Sequence, residues 1–180
     1  LKLERGDVQV PLSCESALVE KYPIYKLKAR INLLKLTKGE ESLSVKVIPQ
    51  KLTIDDALQI ALLMNECYPE MWGEITSDNI RNLILSSPET IWLGIKNEDK
   101  LISFGYATLT PDVNHITWIA TSPEHKNKGY ATSIISALVE KCLAVADTTI
   151  IYVMDDNAPA NRVYSKVGFK GYKSYIFEKI

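Results

Sequence analysis

Lys126-Asn127-Lys128-Gly129-Tyr130-Ala131 is the stretch on which the reading of this chain turns. Before it lies an apolar run, His115-Ile-Thr-Trp-Ile-Ala-Thr121, and after it apolar residues recur at helical spacing from Thr132 to Ala146. A strand ends, a basic glycine loop follows, and a helix begins. The first N–H groups of a helix have no intrahelical partner and carry partial positive charge, so they hold anionic oxygens. Gly129 permits close approach or a positive φ, and Ala131 is too small to obstruct it. Lys126 and Lys128 add charge at the same place, and Asn127, Tyr130 and Thr132 complete the loop and helix start. The segment predicts a binding site for a pyrophosphate.

Working outward, residues 44–48 read as a short strand ended by Pro49. Thr53 predicts an N-cap, with Asp55 and Asp56 in the first turn of a helix that runs to about Cys67. Tyr68 to Gly73 is a loop, and Thr76 or Ser77 caps a second helix stopped by Ser87-Pro88. Strands follow at 90–96, 101–110 and 115–121, with a hairpin turn at Asn97-Glu-Asp-Lys100 and another turn at Pro111-Asp112. The helix over 132–146 turns Ile134, Ile135, Leu138, Val139, Cys142 and Leu143 inward. Residues 148–154 are nearly all apolar and predict a buried central strand, followed by a short helix over 157–167 and a closing strand over 172–179. This order predicts an α/β (α+β) domain: a mixed central sheet with helices on both faces.

Residues 1–44 differ. Residues 1–10 show no clear period, Tyr22 to Leu36 alternates well enough for one or two strands, and Lys38-Gly39-Glu40-Glu41 is a turn signal. The region reads as an N-terminal extension packed on a main domain of residues 45–180, or as the remnant of a second domain. The chain opens on Leu1 rather than Met, so residues preceding it are expected.

The 180 residues suit one domain with an extension, and 46% apolar content is enough for a sizeable core. A formal net charge of −1 argues against a general nucleic-acid binder, whose affinity comes from neutralising phosphates. Cys14, Cys67 and Cys142 are far apart and odd in number, without metal-ligand spacing or a disulfide framework, so no metal is expected. No apolar run approaches membrane-spanning length and no signal-peptide pattern opens the chain, so a cytoplasmic, reduced setting with no membrane partner is the default.

The glycine loop has a companion downstream, Asn157-Ala-Pro-Ala-Asn-Arg-Val-Tyr-Ser-Lys-Val-Gly-Phe169. Together they resemble the GNAT superfamily of acetyl-coenzyme A-dependent N-acetyltransferases. Its first signature, Arg/Gln-x-x-Gly-x-Gly/Ala, corresponds to Lys126 to Ala131, with Lys126 in place of the planar fork of Arg. Its second corresponds to Asn157, Ala160, Tyr164, Gly168 and Phe169. The wording from Ser122 to Thr132 is nearest to the branch that includes glycine N-acyltransferase-like C-terminal domains. The resemblance implies the GNAT fold, in which two central parallel strands, here 115–121 and 148–154, splay apart to admit acetyl-coenzyme A.

It further implies that the edge at Ile119, Ala120 and Thr121 binds the pantetheine arm and polarises the acetyl carbonyl. Tyr164 takes the position of the general acid that protonates the thiolate, whereas the simpler reading is a core tyrosine. Asn157 and Asn161 are implied ligands of the cofactor arm, with helix capping as the alternative for Asn157. The carboxylate that the family often carries before the phosphate loop is missing. His115 is the candidate base, with Glu66, Glu70 or ordered water as alternatives. Glu66, Glu70, Glu74 and Asp78 around Tyr68, Met71 and Trp72 make either an acidic, aromatic rim for a cationic acceptor or a solvated loop. The expected acceptor is a small-molecule or peptide amine, with no nucleic-acid partner, and a homodimer is allowed but not required. A non-catalytic acyl-coenzyme A sensor is the alternative to an enzyme.

Overall fold

A computed structural model describes residues 7–14, 16–17, 20, 27–69 and 73–179. The described strands form one eight-stranded sheet in the order β1-β8-β2-β7-β6-β5-β4-β3. They are β1 (Asp7–Pro11), β2 (Leu27–Thr37), β3 (Gln50–Lys51), β4 (Thr90–Asn97), β5 (Lys100–Thr108), β6 (Asn114–Thr121), β7 (Thr148–Met154) and β8 (Lys170–Lys179). Only β6 and β7 run parallel; the other neighbours are antiparallel. Among the described residues, the sheet is covered by α1 (Ala57–Cys67), α2 (Ser77–Ser86), α3 (Tyr130–Leu143) and α4 (Ala158–Val167). The mixed sheet with helices on both faces is the expected fold class.

Two apolar clusters account for the layering. Ile60, Ala61 and Met64 of α1 and Ile80 of α2 pack with Trp92, Phe104, Tyr106 and Ala120 on one face. Ile134, Ile135, Leu138, Val139 and Cys142 of α3 pack with Leu93, Ile95, Ile116, Ile151 and Val153 on the other. Each fully buried aliphatic side chain contributes about 1.5–3 kcal/mol, so the inward stripe of α3 fixes that helix against the centre of the sheet. Thr53 and Asp56 form a capping box on the short 3₁₀ turn that leads into α1, and Thr76 and Asn79 form another at α2. The hairpin between β4 and β5 turns through Glu98 (φ 48°) and Asp99 (φ 64°), the paired left-handed residues of a type I′ turn.

Three elements differ from expectation. Residues 44–48 are not a strand: the N–H groups of Ser44, Lys46 and Val47 donate to serine hydroxyls of α3 instead of to a ladder, and the edge strand is the two-residue β3 after Pro49. Residues 7–11, without sequence period, pair with β8 at the edge of the sheet. β7 is not buried on both faces; Thr149, Ile151 and Val153 point into the core, while Tyr152 is 38% exposed. The extension expected over residues 1–44 contains β2, which is hydrogen-bonded to β7 on one side and β8 on the other. Of the strands expected over 22–36, residues 22–26 lie outside the described residues.

Candidate active site

β6 and β7 pair only from Asn114 to Ile116 against Thr149 to Ile151. Beyond that both strands continue, to Thr121 and to Met154, without a ladder between them. The cause lies in β6. Tyr106 of β5 is opposite Thr117 and Gly105 is opposite Ile119, so Trp118 is an extra residue with φ 41°. Such a bulge raises the local twist and bends the strand, and this one falls two residues past the last β6–β7 pair. A gap opens there between Thr117–Thr121 and Tyr152–Met154.

At the far end of β6, α3 begins in a left-handed Gly129 (φ 87°), and its N-terminus has no side-chain cap. Asn127 also adopts a left-handed conformation (φ 63°), which Asn tolerates better than most residues. The first intrahelical bond of α3 runs from Ser133 N–H to the Gly129 carbonyl. The N–H groups of Tyr130, Ala131 and Thr132 are therefore the unpaired donors of the first turn. Lys126 and Lys128 are exposed beside them. Uncapped donors, a backbone left bare by glycine and two cations fit a pyrophosphate.

The carbonyls of Ile119, Ala120 and Thr121 each accept from a side chain. The Tyr68 hydroxyl donates to the Ile119 carbonyl at 2.7 Å, and the Cys67 thiol to that of Thr121 at 3.4 Å. The buried Ser103 hydroxyl donates to the Ala120 carbonyl at 3.1 Å. Each carbonyl keeps a second lone pair. The end of α1 is thus seated on the edge of β6, and Ser122 Oγ donates to Glu66 Oε1 at 3.0 Å beside it. Burial pushes the Cys67 thiol up to about 11, so it is a protonated hydrogen-bond donor and not a nucleophile.

Tyr164 faces inward from α4, 6% exposed, with its ring edge-on to Phe169 at 6.1 Å. Its hydroxyl has no hydrogen-bond partner among the described residues. Burial, with the Tyr68 phenol adding to it, raises Tyr164 well above the usual tyrosine value; burial likewise pushes Tyr68 up to about 12. Both phenols stay protonated at neutral pH, the state a proton donor requires. Gly168 ends α4 at φ 116°, and a Cβ there would strike the Glu40 carbonyl.

Asn157 Oδ1 accepts from Ala160 N–H at 3.1 Å, so this residue caps α4. Asn161 Nδ2 donates to the carbonyls of Met154 and Asn157, tying the end of β7 to α4. His115 lies within the paired part of β6, opposite Ile150, with its ring 5.5 Å from that of Tyr152. It stands four residues from Ile119, about 13 Å along a strand, and its ring meets Tyr152 where the gap begins. Burial lowers its pKa. Asp78 pairs with Arg81 at 2.9 Å, while Glu70, Met71 and Trp72 of the expected rim lie outside the described residues. Cys142 is core, as its place on the α3 stripe predicts, and no metal cluster occurs among the described residues. The sequence places Tyr68 in the expected rim but not on the Ile119 carbonyl, because a tyrosine at a helix end carries no local signature of its partner.

Splayed parallel strands beside an uncapped glycine turn define an acyl-coenzyme A transferase architecture. The profile of the Acetyltransferase (GNAT) family matches residues 57–169, and the chain belongs to that family. Its members use acetyl-coenzyme A. No curated protein matches the sequence. Among solved structures, the chain is similar to a GCN5-related N-acetyltransferase from Sphaerobacter thermophilus (TM-score 0.76, 12% identity, 98% of this chain and 60% of that one). It is also similar to a tandem GNAT protein from the clavulanic acid biosynthesis pathway (TM-score 0.73, 13% identity, 98% and 63%). A third is a GNAT-family acetyltransferase from Colwellia psychrerythraea (TM-score 0.72, 11% identity, 98% and 65%). At these identities the likeness concerns the fold, and the chain spans less than two thirds of the length of all three. Among the described residues, no helix is long and apolar enough to cross a membrane.

Proposed function

We infer that the chain is an N-acetyltransferase that moves the acetyl group of acetyl-coenzyme A to a primary amine by direct attack in a ternary complex. The observation that carries this is the gap between β6 and β7, bordered by Ile119 to Thr121 and ending at the uncapped N-terminus of α3. The amine nitrogen bonds to the acetyl carbon as the carbon–sulfur bond breaks. Tyr164 gives its phenolic proton to the leaving sulfur and regains one from solvent. The surplus amine proton passes to ordered water beside Glu66, the carboxylate hydrogen-bonded to Ser122 at the end of β6. The protonated thiol of Cys67 supports direct transfer over a cysteine-linked route.

The same inference extends to the acceptor and the setting. A small amine or a peptide amine is the acceptor class, in the cytoplasm, with the glycine N-acyltransferase-like branch favoured by the wording from Ser122 to Thr132. Residues 45–180 carry the machinery, and residues 1–44 are an extension whose strand β2 completes the sheet. Release of free coenzyme A thiol from acetyl-coenzyme A, against a panel of small and peptide amines, tests the proposal. Amine-dependent thiol release is expected. Cofactor binding without release for any amine would leave an acyl-coenzyme A sensor instead.

A further inference from the structure

We propose that Lys46 is a pyrophosphate ligand of the cofactor site, held over the glycine turn by a strap outside the family-matched residues 57–169. The proposal rests on the acetyl-coenzyme A reading above.

The strap is residues 42–47. Ser42 N–H donates to the Val167 carbonyl at the end of α4. Ser44 N–H donates to Ser136 Oγ at 3.0 Å, and Lys46 and Val47 N–H both donate to Ser133 Oγ at 3.1 and 3.3 Å. Ser133 is fully buried and returns its own proton to the Gly129 carbonyl at 3.2 Å. One hydroxyl therefore joins the strap to the residue that opens α3. The Lys46 side chain follows from this anchoring. Its Cδ lies 3.5 Å from where a Cβ on Gly129 would stand. The ammonium sits two bonds further on, and no ion pair occupies it among the described residues.

The consequence is electrostatic. Lys126 and Lys128 reach the site from within the loop, whereas Lys46 reaches it across Gly129 from another segment. The family signature has Arg or Gln at the position of Lys126, and lysine there is a point charge without the planar fork of Arg. A third cation from the strap adds a charge beside a loop that keeps its charge and lacks only the planar fork. Because the lysine chain lies on Gly129, the phosphates it meets are those at the start of α3 and not one further along the nucleotide.

Titration of the whole chain with coenzyme A and with dephospho-coenzyme A, at low and high salt, tests this. A surface ion pair contributes up to about 1 kcal/mol, so Lys46→Ala should weaken coenzyme A binding by about fivefold at low salt. Lys46→Glu should weaken it further and Lys46→Arg should restore it. The loss should be equal for dephospho-coenzyme A and should shrink at high salt, since screening acts over roughly 10 Å at 0.1 M. Lys46 is exposed and contributes its backbone N–H alone to the strap, so these variants should fold as wild type does. Wild type that binds while Lys46→Ala binds equally well at low salt would overturn the proposal alone. A loss confined to coenzyme A would overturn the pyrophosphate assignment. Wild type that binds neither ligand would overturn the acetyl-coenzyme A reading itself.

Discussion

Tyr164→Phe removes one hydroxyl from the centre of the proposed chemistry and leaves the packing intact. Deleting a paired polar group strands its partner, which costs about 1–3 kcal/mol. The Tyr164 hydroxyl has no partner to strand among the described residues, and the ring contact with Phe169 survives in phenylalanine. Stability should therefore change by less than about 0.5 kcal/mol, which is below about 2 °C in Tm for a chain of this size. Catalysis should respond differently. A positioned general acid contributes about 10²–10⁴-fold, so kcat should fall at least about tenfold while the Kd for acetyl-coenzyme A stays near wild type. Tyr68→Phe is the internal comparison. It strands the Ile119 carbonyl, which accepts from Tyr68 at 2.7 Å, and should lower stability by about 1 kcal/mol. Thiol-release kinetics, a cofactor titration and a thermal melt on both variants separate the outcomes. Unchanged turnover in Tyr164→Phe would make Tyr164 a core tyrosine only. A turnover loss matched by a fall in Tm would show that packing, not proton donation, had been measured.

Acetyl-coenzyme A should raise the Tm of the wild type by mass action, and Gly129→Glu should abolish that shift, since a side chain and a negative charge would enter an anion site at φ 87°. Gly168→Ala should destabilise the fold by about 2–4 kcal/mol in urea titration, because the left-handed conformation and contact with the Glu40 carbonyl both oppose a Cβ. His115 binds its proton less tightly folded than at its ordinary value of 6.5. The unfolded chain then holds more protons, so stability should fall as pH drops from 6.5 through the lowered folded value, and His115→Gln should flatten that slope in pH-dependent melts.

The parts legible in the sequence are those fixed by short-range physics. The inward residues of α3 recur at the helical period, and every one of them is buried. The turn between β4 and β5 is marked by Asn97-Glu-Asp-Lys100, and two adjacent left-handed residues make it. The glycine turn before α3 was legible because Gly129 and the flanking lysines carry its chemistry locally. β2 was not. Its alternation marks a strand, but nothing in eleven residues specifies that β7 and β8 will flank it. The opening of β6 from β7 turns on the bulge at Trp118, a residue whose type favours ordinary strand geometry and so gives no warning.

The strap is the most instructive failure of local pattern. Leu43, Val45 and Val47 alternate with polar residues, which is the signature of a half-buried strand. The backbone is extended enough to present alternate N–H groups to one side, as a strand would. What receives them is a helix. Residues three apart on a helix surface lie about 5–6 Å from one another, and alternate residues of an extended chain are about 7 Å apart. Ser133 and Ser136 therefore match Lys46 and Ser44, in antiparallel sense, closely enough for both hydroxyls to accept. Sequence periodicity counts those serines as small polar positions on an amphipathic helix, yet they do the work of a strand edge. The pairing also ends at the first turn of α3, and that is why an exposed lysine from residues 42–47 comes to lie on Gly129.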